Sequence, residues 1–182
     1  MHQYRIHDIE SAPANARPAM QAMKLNLGFV PNLAATMAES PVLLNGFVGA
    51  LGNLHGGSFT GRQKQTLLLT NAVANTCPWA VAFHSTMAQK EGVDAEDIGA
   101  IRERRLPQDT KLAALSRFTR ALIDKRGHVD AHDLESFTGA GFSRDQVLEV
   151  IAGLAVSVMA NYAGNITQPI VEDALQPQIW KP

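Results

Sequence analysis

Cys77, the only cysteine of the chain, stands directly before a proline and seven residues before a histidine, in the run Asn75-Thr76-Cys77-Pro78-Trp79-Ala80-Val81-Ala82-Phe83-His84. Pro78 suits the first position of a helix, where its missing N–H loses no bond and its fixed φ already matches the helix. The spacing predicts Cys77 at or next to the N-cap, facing unpaired backbone N–H groups and the positive end of the dipole. Both favour thiolate over thiol. Almost two turns separate Cys77 from His84, so the two share a face. At ~1.5 Å rise per residue they still lie about 10 Å apart along the axis, and only something placed between them can connect them. Ala80 holds the intermediate position, where a second cysteine would complete a C-x-x-C-x-x-x-H dithiol pattern.

The stretch from about Thr60 to Gly92 resembles the core of the carboxymuconolactone decarboxylase / alkyl hydroperoxidase D-like superfamily. Its redox members carry a glutamate on one helix and C-x-x-C-x-x-x-H on the next. Cys77 matches the first family cysteine and His84 the family histidine. Ala80 stands where the second cysteine belongs, and Gln65 where the glutamate is expected. The segments Asn26-Leu27-Gly28-Phe29-Val30-Pro31-Asn32-Leu33 and Ser40-Pro41-Val42-Leu43-Leu44 resemble the N-terminal part of the longer, peroxidase-related branch. Asn161-Tyr162-Ala163-Gly164-Asn165-Ile166 resembles its last-helix ending. The resemblance implies an all-α, single-domain AhpD-like helical bundle that is oligomeric, a trimer or a hexamer. It implies catalytic roles for Cys77 and His84, with Gln65, Ala80 and Trp79 in support.

Each of these residues also has an ordinary structural reading. A lone cysteine commonly acts as a small buried hydrophobe. His84 sits among Val81, Ala82, Phe83 and Met87, where a satisfied core histidine fits. Gln65 reads as a structural hydrogen-bonding group or a neutral replacement in a relay, and Trp79 as packing. His55, before Gly56-Gly57, can complement a helix C-terminus. His128 and His132 could chelate a metal only from one helix, but Asp130 is the better N-cap and leaves His128 outside. No metal and no cofactor are expected.

Between Ser40 and Lys90 there is no aspartate or glutamate. Any carboxylate at the site must come from Glu39, from later helices (Glu149 is a candidate), from the tail or from another subunit. Exposed charges are screened, so this biases the site only modestly toward thiolates and anions.

Helical signals run through the whole chain. Helices are predicted near Arg17–Leu27, around Asn32–Glu39, and from Pro41 to about His55. Thr60-Gly61-Arg62-Gln63 has capping-box form and opens a helix to about Asn75. Cys77/Pro78 open the next, which Gly92 closes. A short charged helix to Arg104, one from Asp109 to Arg126 and one from Asp130 to about Thr138 follow. Ser143-Arg144-Asp145-Gln146 opens the most periodic segment, with Val147, Leu148, Ile151, Leu154, Ala155, Val158, Met159, Tyr162 and Ile166 at helical spacing. The organisation reads as an N-terminal arm over 1–15, a helical domain over 16–167 and an extended tail over 168–182 that packs on a neighbouring subunit. Leu67-Leu68-Leu69 and the stretch Leu112 to Leu122 exceed one narrow stripe and are expected to feed an interface.

A chain of 182 residues can bury roughly 70% of its unfolded surface in one core. Net charge of −1 gives no electrostatic case for nucleic acid or an anionic membrane. The first residues contain no apolar signal-peptide core, and Val147 to Ala160 is too short to span a bilayer. A single cysteine favours a reducing cytoplasm. Three functions fit. The first, to which the resemblance points, is a peroxidase-related enzyme: Cys77 attacks a peroxide and an external thiol reductant resolves the sulfenic acid. The second is a non-redox small-molecule enzyme like a lactone decarboxylase, with His84 as general acid or base. The third is a non-catalytic oligomeric scaffold.

Overall fold

The computed structural model describes residues 4–181. Among the described residues nine α-helices follow in order: α1 (Arg17–Leu27), α2 (Asn32–Met37), α3 (Pro41–His55), α4 (Gly61–Ala74), α5 (Pro78–Lys90), α6 (Ala95–Arg102), α7 (Thr110–Asp124), α8 (Ala131–Gly139) and α9 (Arg144–Thr167). No strand occurs among the described residues. The starts follow the predicted caps. Thr60 and Gln63 form a reciprocal capping box at α4, Asp130 and Asp133 another at α8, and Asp109 accepts from two N–H groups at α7. The expected ends at Arg104 and Arg126 fall two residues late, because both residues turn left-handed (φ 61° and 52°) just past their helices. Asp130 caps α8 and leaves His128 outside it.

Helix α9 is the spine, packed against α2, α3, α4, α5 and α7. Gly153 lets it close on α4, since a β-carbon there would lie 3.0 Å from Leu67 Cγ and closer still to Cδ2. The packing makes two cores. The larger joins α1–α5 to the C-terminal half of α9. The smaller sits under α4, α7 and α8, where Phe118, Phe137 and Phe142 stack at 4.4 and 4.3 Å. Leu67, Leu68 and Leu69 are all buried across these cores, as are Leu112, Leu115 and Leu122. They therefore contribute no interface, contrary to expectation. Five exposed apolar side chains lie on the outer face of α9, at Leu148, Ile151, Val158, Tyr162 and Ile166, and others, such as Leu25 and Val42, are scattered over α1, α3, α8 and the termini.

Two further expectations change. The apolar segment does not stop at Ala160: α9 runs for 24 residues and by length and composition alone would suffice to cross a bilayer. The tail is not simply extended. It forms a 3-10 turn over Asp173–Gln178 and folds back on its own chain, with Leu175 buried and Arg102 donating to Gln178 Oε1 (2.6 Å) and to the Ile179 carbonyl (2.8 Å).

Candidate active site

The α4–α5 connection is short enough that one residue belongs to both helix ends. Helix α4 closes in a Schellman motif: Thr76 N–H donates to the Val73 carbonyl and Cys77 N–H to the Ala72 carbonyl. Thr76 takes the left-handed position (φ 51°), a strained choice for a β-branched residue. Cys77 is then the N-cap of α5, with Pro78 at the first helical position. This is the geometry the sequence predicts, although the Cys77 side chain makes no capping hydrogen bond; the nearby backbone N–H groups of Ala80 and Trp79 favour the thiolate.

The expected consequence for the thiol does not follow. Cys77 is only 1% exposed, and its sulfur packs so close to α9 that a β-carbon on Gly164 would lie 2.8 Å away. Burial pushes the thiol up from its ordinary value, outweighing the Ala80 and Trp79 N–H groups that favour the thiolate.

Gln65, near the start of α4, meets His84 in the middle of α5, a pairing that an antiparallel hairpin produces. Gln65 Oε1 lies 3.0 Å from His84 Nδ1, so Nδ1–H donates and Nε2 is left as an acceptor. Nε2 has no protein partner among the described residues. His84 is half-buried and lines a cavity. Burial, reinforced by the neighbouring His55, pushes it down from 6.5 to about 3. The imidazole is therefore neutral at physiological pH.

That cavity measures about 90 Å³, room for a few waters or a compact organic molecule. Six helices line it: α1, α2, α3, α4, α5 and α9. Gln65, Trp79, Ala80 and His84 all stand in its wall, together with His55 and Ser157; Cys77 does not. Trp79 stacks on Phe83 (5.1 Å between centroids, 14°), and Phe83 meets His84 edge-on at 5.3 Å. No lining residue is Asp, Glu, Lys or Arg.

The carboxylates go elsewhere. Glu39 bonds His7 Nε2 (2.7 Å), and Glu149 accepts from Ser58 N–H and Oγ. From the tail, Glu172 accepts from Trp79 Nε1 (2.9 Å) and from the Asn32 backbone N–H (2.6 Å). It holds the cavity wall without touching His84. Sequence reasoning missed Glu172 and Ser157, since only tertiary packing brings the tail and α9 to α5. It placed His55 correctly at a helix end, but the cavity beyond that end had no signal.

Residues 41–122 match the carboxymuconolactone decarboxylase family. The match covers less than half of the chain, and the fold as a whole is AhpD-like. It is similar to the alkylhydroperoxidase AhpD core of an uncharacterized peroxidase-related protein from Ralstonia eutropha JMP134, with TM-score 0.82 and 18% identity over 95% of this chain and 93% of that one. A peroxidase-related protein from Silicibacter sp. TM1040 gives 0.79 and 17% over 96% and 93%. The debrominase Bmp8, as a Cys-to-Ala variant in complex with 2,3,4-tribromopyrrole, gives 0.78 and 20% over 96% and 94%. At these identities the likeness establishes the fold. Comparison with curated proteins yields no match.

Proposed function

We propose that this chain is a small-molecule enzyme whose substrate occupies the apolar cavity with its reacting polar group at His84 Nε2. One observation carries this: a neutral imidazole, its tautomer fixed by Gln65, offers its only free acceptor to a cavity with no charged wall. Nε2 takes a proton from a substrate O–H, N–H or activated C–H. The imidazolium so formed has no carboxylate beside it, so the substrate anion must stabilise it. Proton transfer is favourable only with that anion in contact, which restricts the chemistry to the bound complex. The halogenated pyrrole held by Bmp8 supports a ligand of this kind, being a compact ring with one N–H.

The test is binding of phenol, followed by the ¹⁵N shifts of His84. Saturable binding that moves Nε2 and leaves Nδ1 protonated supports the reading. A His84 signal unmoved by phenol, or binding unchanged in His84→Ala, refutes it.

A second reading rests on the Ala80 and Trp79 N–H groups at the Cys77 sulfur, which would stabilise a thiolate once formed, and on the likeness to peroxidase-related proteins. The Cys77 thiolate would attack the distal oxygen of a hydroperoxide, breaking the O–O bond. The departing alkoxide takes up a proton, and sulfur becomes a sulfenic acid. One external thiol then forms a mixed disulfide with loss of water, and a second releases Cys77 and leaves as the disulfide. This reading requires hydroperoxide consumption that depends on added thiol and vanishes in Cys77→Ser. Absence of such consumption in the wild type removes it and leaves the His84 reading standing.

A further inference from the structure

Some helical hydroxyls in this protein bond the carbonyl one turn back. Thr70 Oγ1 donates to the Thr66 carbonyl (2.7 Å), Thr86 Oγ1 to Ala82 (2.9 Å) and Thr119 Oγ1 to Leu115 (2.8 Å). Three buried hydroxyls among the described residues, Thr66, Ser85 and Ser157, make no such bond, and of these three Ser157, in the middle of α9, is the one that lines the cavity. It is 3% exposed, its Oγ has no hydrogen-bond partner, and it stands in the wall of the cavity that holds His84. One turn on, Asn161 is equally buried with Nδ2 unpartnered. The inward face of α9 thus keeps two unused donors before it reaches Gly164 and the Cys77 sulfur. A buried polar group without a partner is costly, and an apolar side chain of this size would fill the same space. A hydroxyl retained here without a protein partner is placed for one that arrives from outside.

We propose that Ser157 is a ligand-binding residue and selects neutral, compact molecules carrying a hydroxyl on an apolar ring or chain. This rests on the cavity reading above and narrows it. Ser157 Oγ–H donates to the ligand oxygen, while the ligand O–H donates to His84 Nε2, so one hydroxyl satisfies both walls. Charged ligands are selected against, because no lining side chain carries a balancing charge. An isostere lacking the hydroxyl leaves both protein groups unpaired, and discrimination follows from that penalty more than from the bonds gained.

The probes are phenol and toluene, which match in size and differ in the hydroxyl, titrated calorimetrically at pH 7 into wild type and Ser157→Ala. Alanine is the better helix former, so the variant retains α9. Wild type should bind phenol at least about tenfold more tightly than toluene. Ser157→Ala should weaken phenol by about 5- to 30-fold and leave toluene within about twofold. Unchanged phenol affinity in Ser157→Ala, or equal binding of the two probes by wild type, overturns the role of Ser157 while the cavity stands. Failure of wild type to bind either probe overturns the cavity reading as well. Should the variant lose its helical circular dichroism, the wild-type preference alone still decides.

Discussion

Replacing Gly164 by alanine would put a methyl group 2.8 Å from the Cys77 sulfur and 3.5 Å from Leu33 Cδ1. The second contact is ordinary; the first lies well inside van der Waals range. Gly→Ala in an unobstructed helix interior stabilises by roughly 0.5–1 kcal/mol, whereas overpacking a filled core costs about 1–3 kcal/mol. In wild type the clash should win, giving net destabilisation of about 0.5–2 kcal/mol. Cys77→Ala alone should cost about 1–2 kcal/mol through the space the sulfur leaves. Once the sulfur is gone the new methyl has room, so adding Gly164→Ala to Cys77→Ala should recover roughly 0.5–1 kcal/mol. The two changes should then couple favourably by about 1–3 kcal/mol in a double-mutant cycle. Urea unfolding at one fixed protein concentration measures all four species. If Gly164→Ala stabilises wild type, or if the coupling is below about 0.5 kcal/mol, the sulfur does not sit against α9 and the burial assigned to Cys77 is wrong.

Three other expectations follow from the same packing. Because burial raises the Cys77 thiol, iodoacetamide labelling of the native protein should be slow, with a midpoint above the free-thiol value of ~8.5; a midpoint below it would contradict the burial argument. The sign for stability follows from the raised value: this contribution is present below the unfolded thiol pKa and declines as pH rises above it. Glu172→Gln should cost about 1–2 kcal/mol in urea unfolding and shift the Trp79 indole N–H resonance, since it weakens the bond to Nε1; an unmoved indole signal would mean that the tail does not hold the wall. We further propose that the outer face of α9 joins copies of the chain, because Leu148, Ile151, Val158, Tyr162 and Ile166 are exposed there. Light scattering should show an oligomer that Ile166→Glu weakens, and a 19.6 kDa monomer at micromolar concentration would sink the idea.

The parts legible in the sequence are those set by local chemistry. Thr60, Asp109 and Asp130 each announce a helix start through a side chain that bonds N–H groups two or three residues away, and at Ser143 the Gln146 side chain accepts from the N-cap N–H. The positions of Cys77 and Gln65 relative to His84 follow from helical spacing and a three-residue connection. What stayed hidden depends on partners far along the chain. The apolar pattern of Leu67, Leu68 and Leu69 reads as surplus until two cores are seen to flank α4. The fate of the Cys77 thiol turns on Gly164, the wall at Trp79 on Glu172, and the free hydroxyl of Ser157 on a cavity assembled from six helices. A helix-start cysteine looks activated from sequence because the dipole acts locally, whereas the burial that opposes it is tertiary.

The state of His84 is the point on which the account turns, and a ¹⁵N-resolved NMR titration of its imidazole between pH 3 and 8 measures it directly. Burial holds the folded value at about 3, below the unfolded ~6.5. The neutral ring therefore adds stability that is complete above about pH 6.5 and lost as pH falls toward 3. The spectrum should show Nδ1 protonated and Nε2 bare at pH 7, with no change in either nitrogen until the pH drops below about 5. Titration of His84 near 6.5, or a ring protonated at Nε2, would place the free acceptor away from the cavity and contradict the proposed acid/base role.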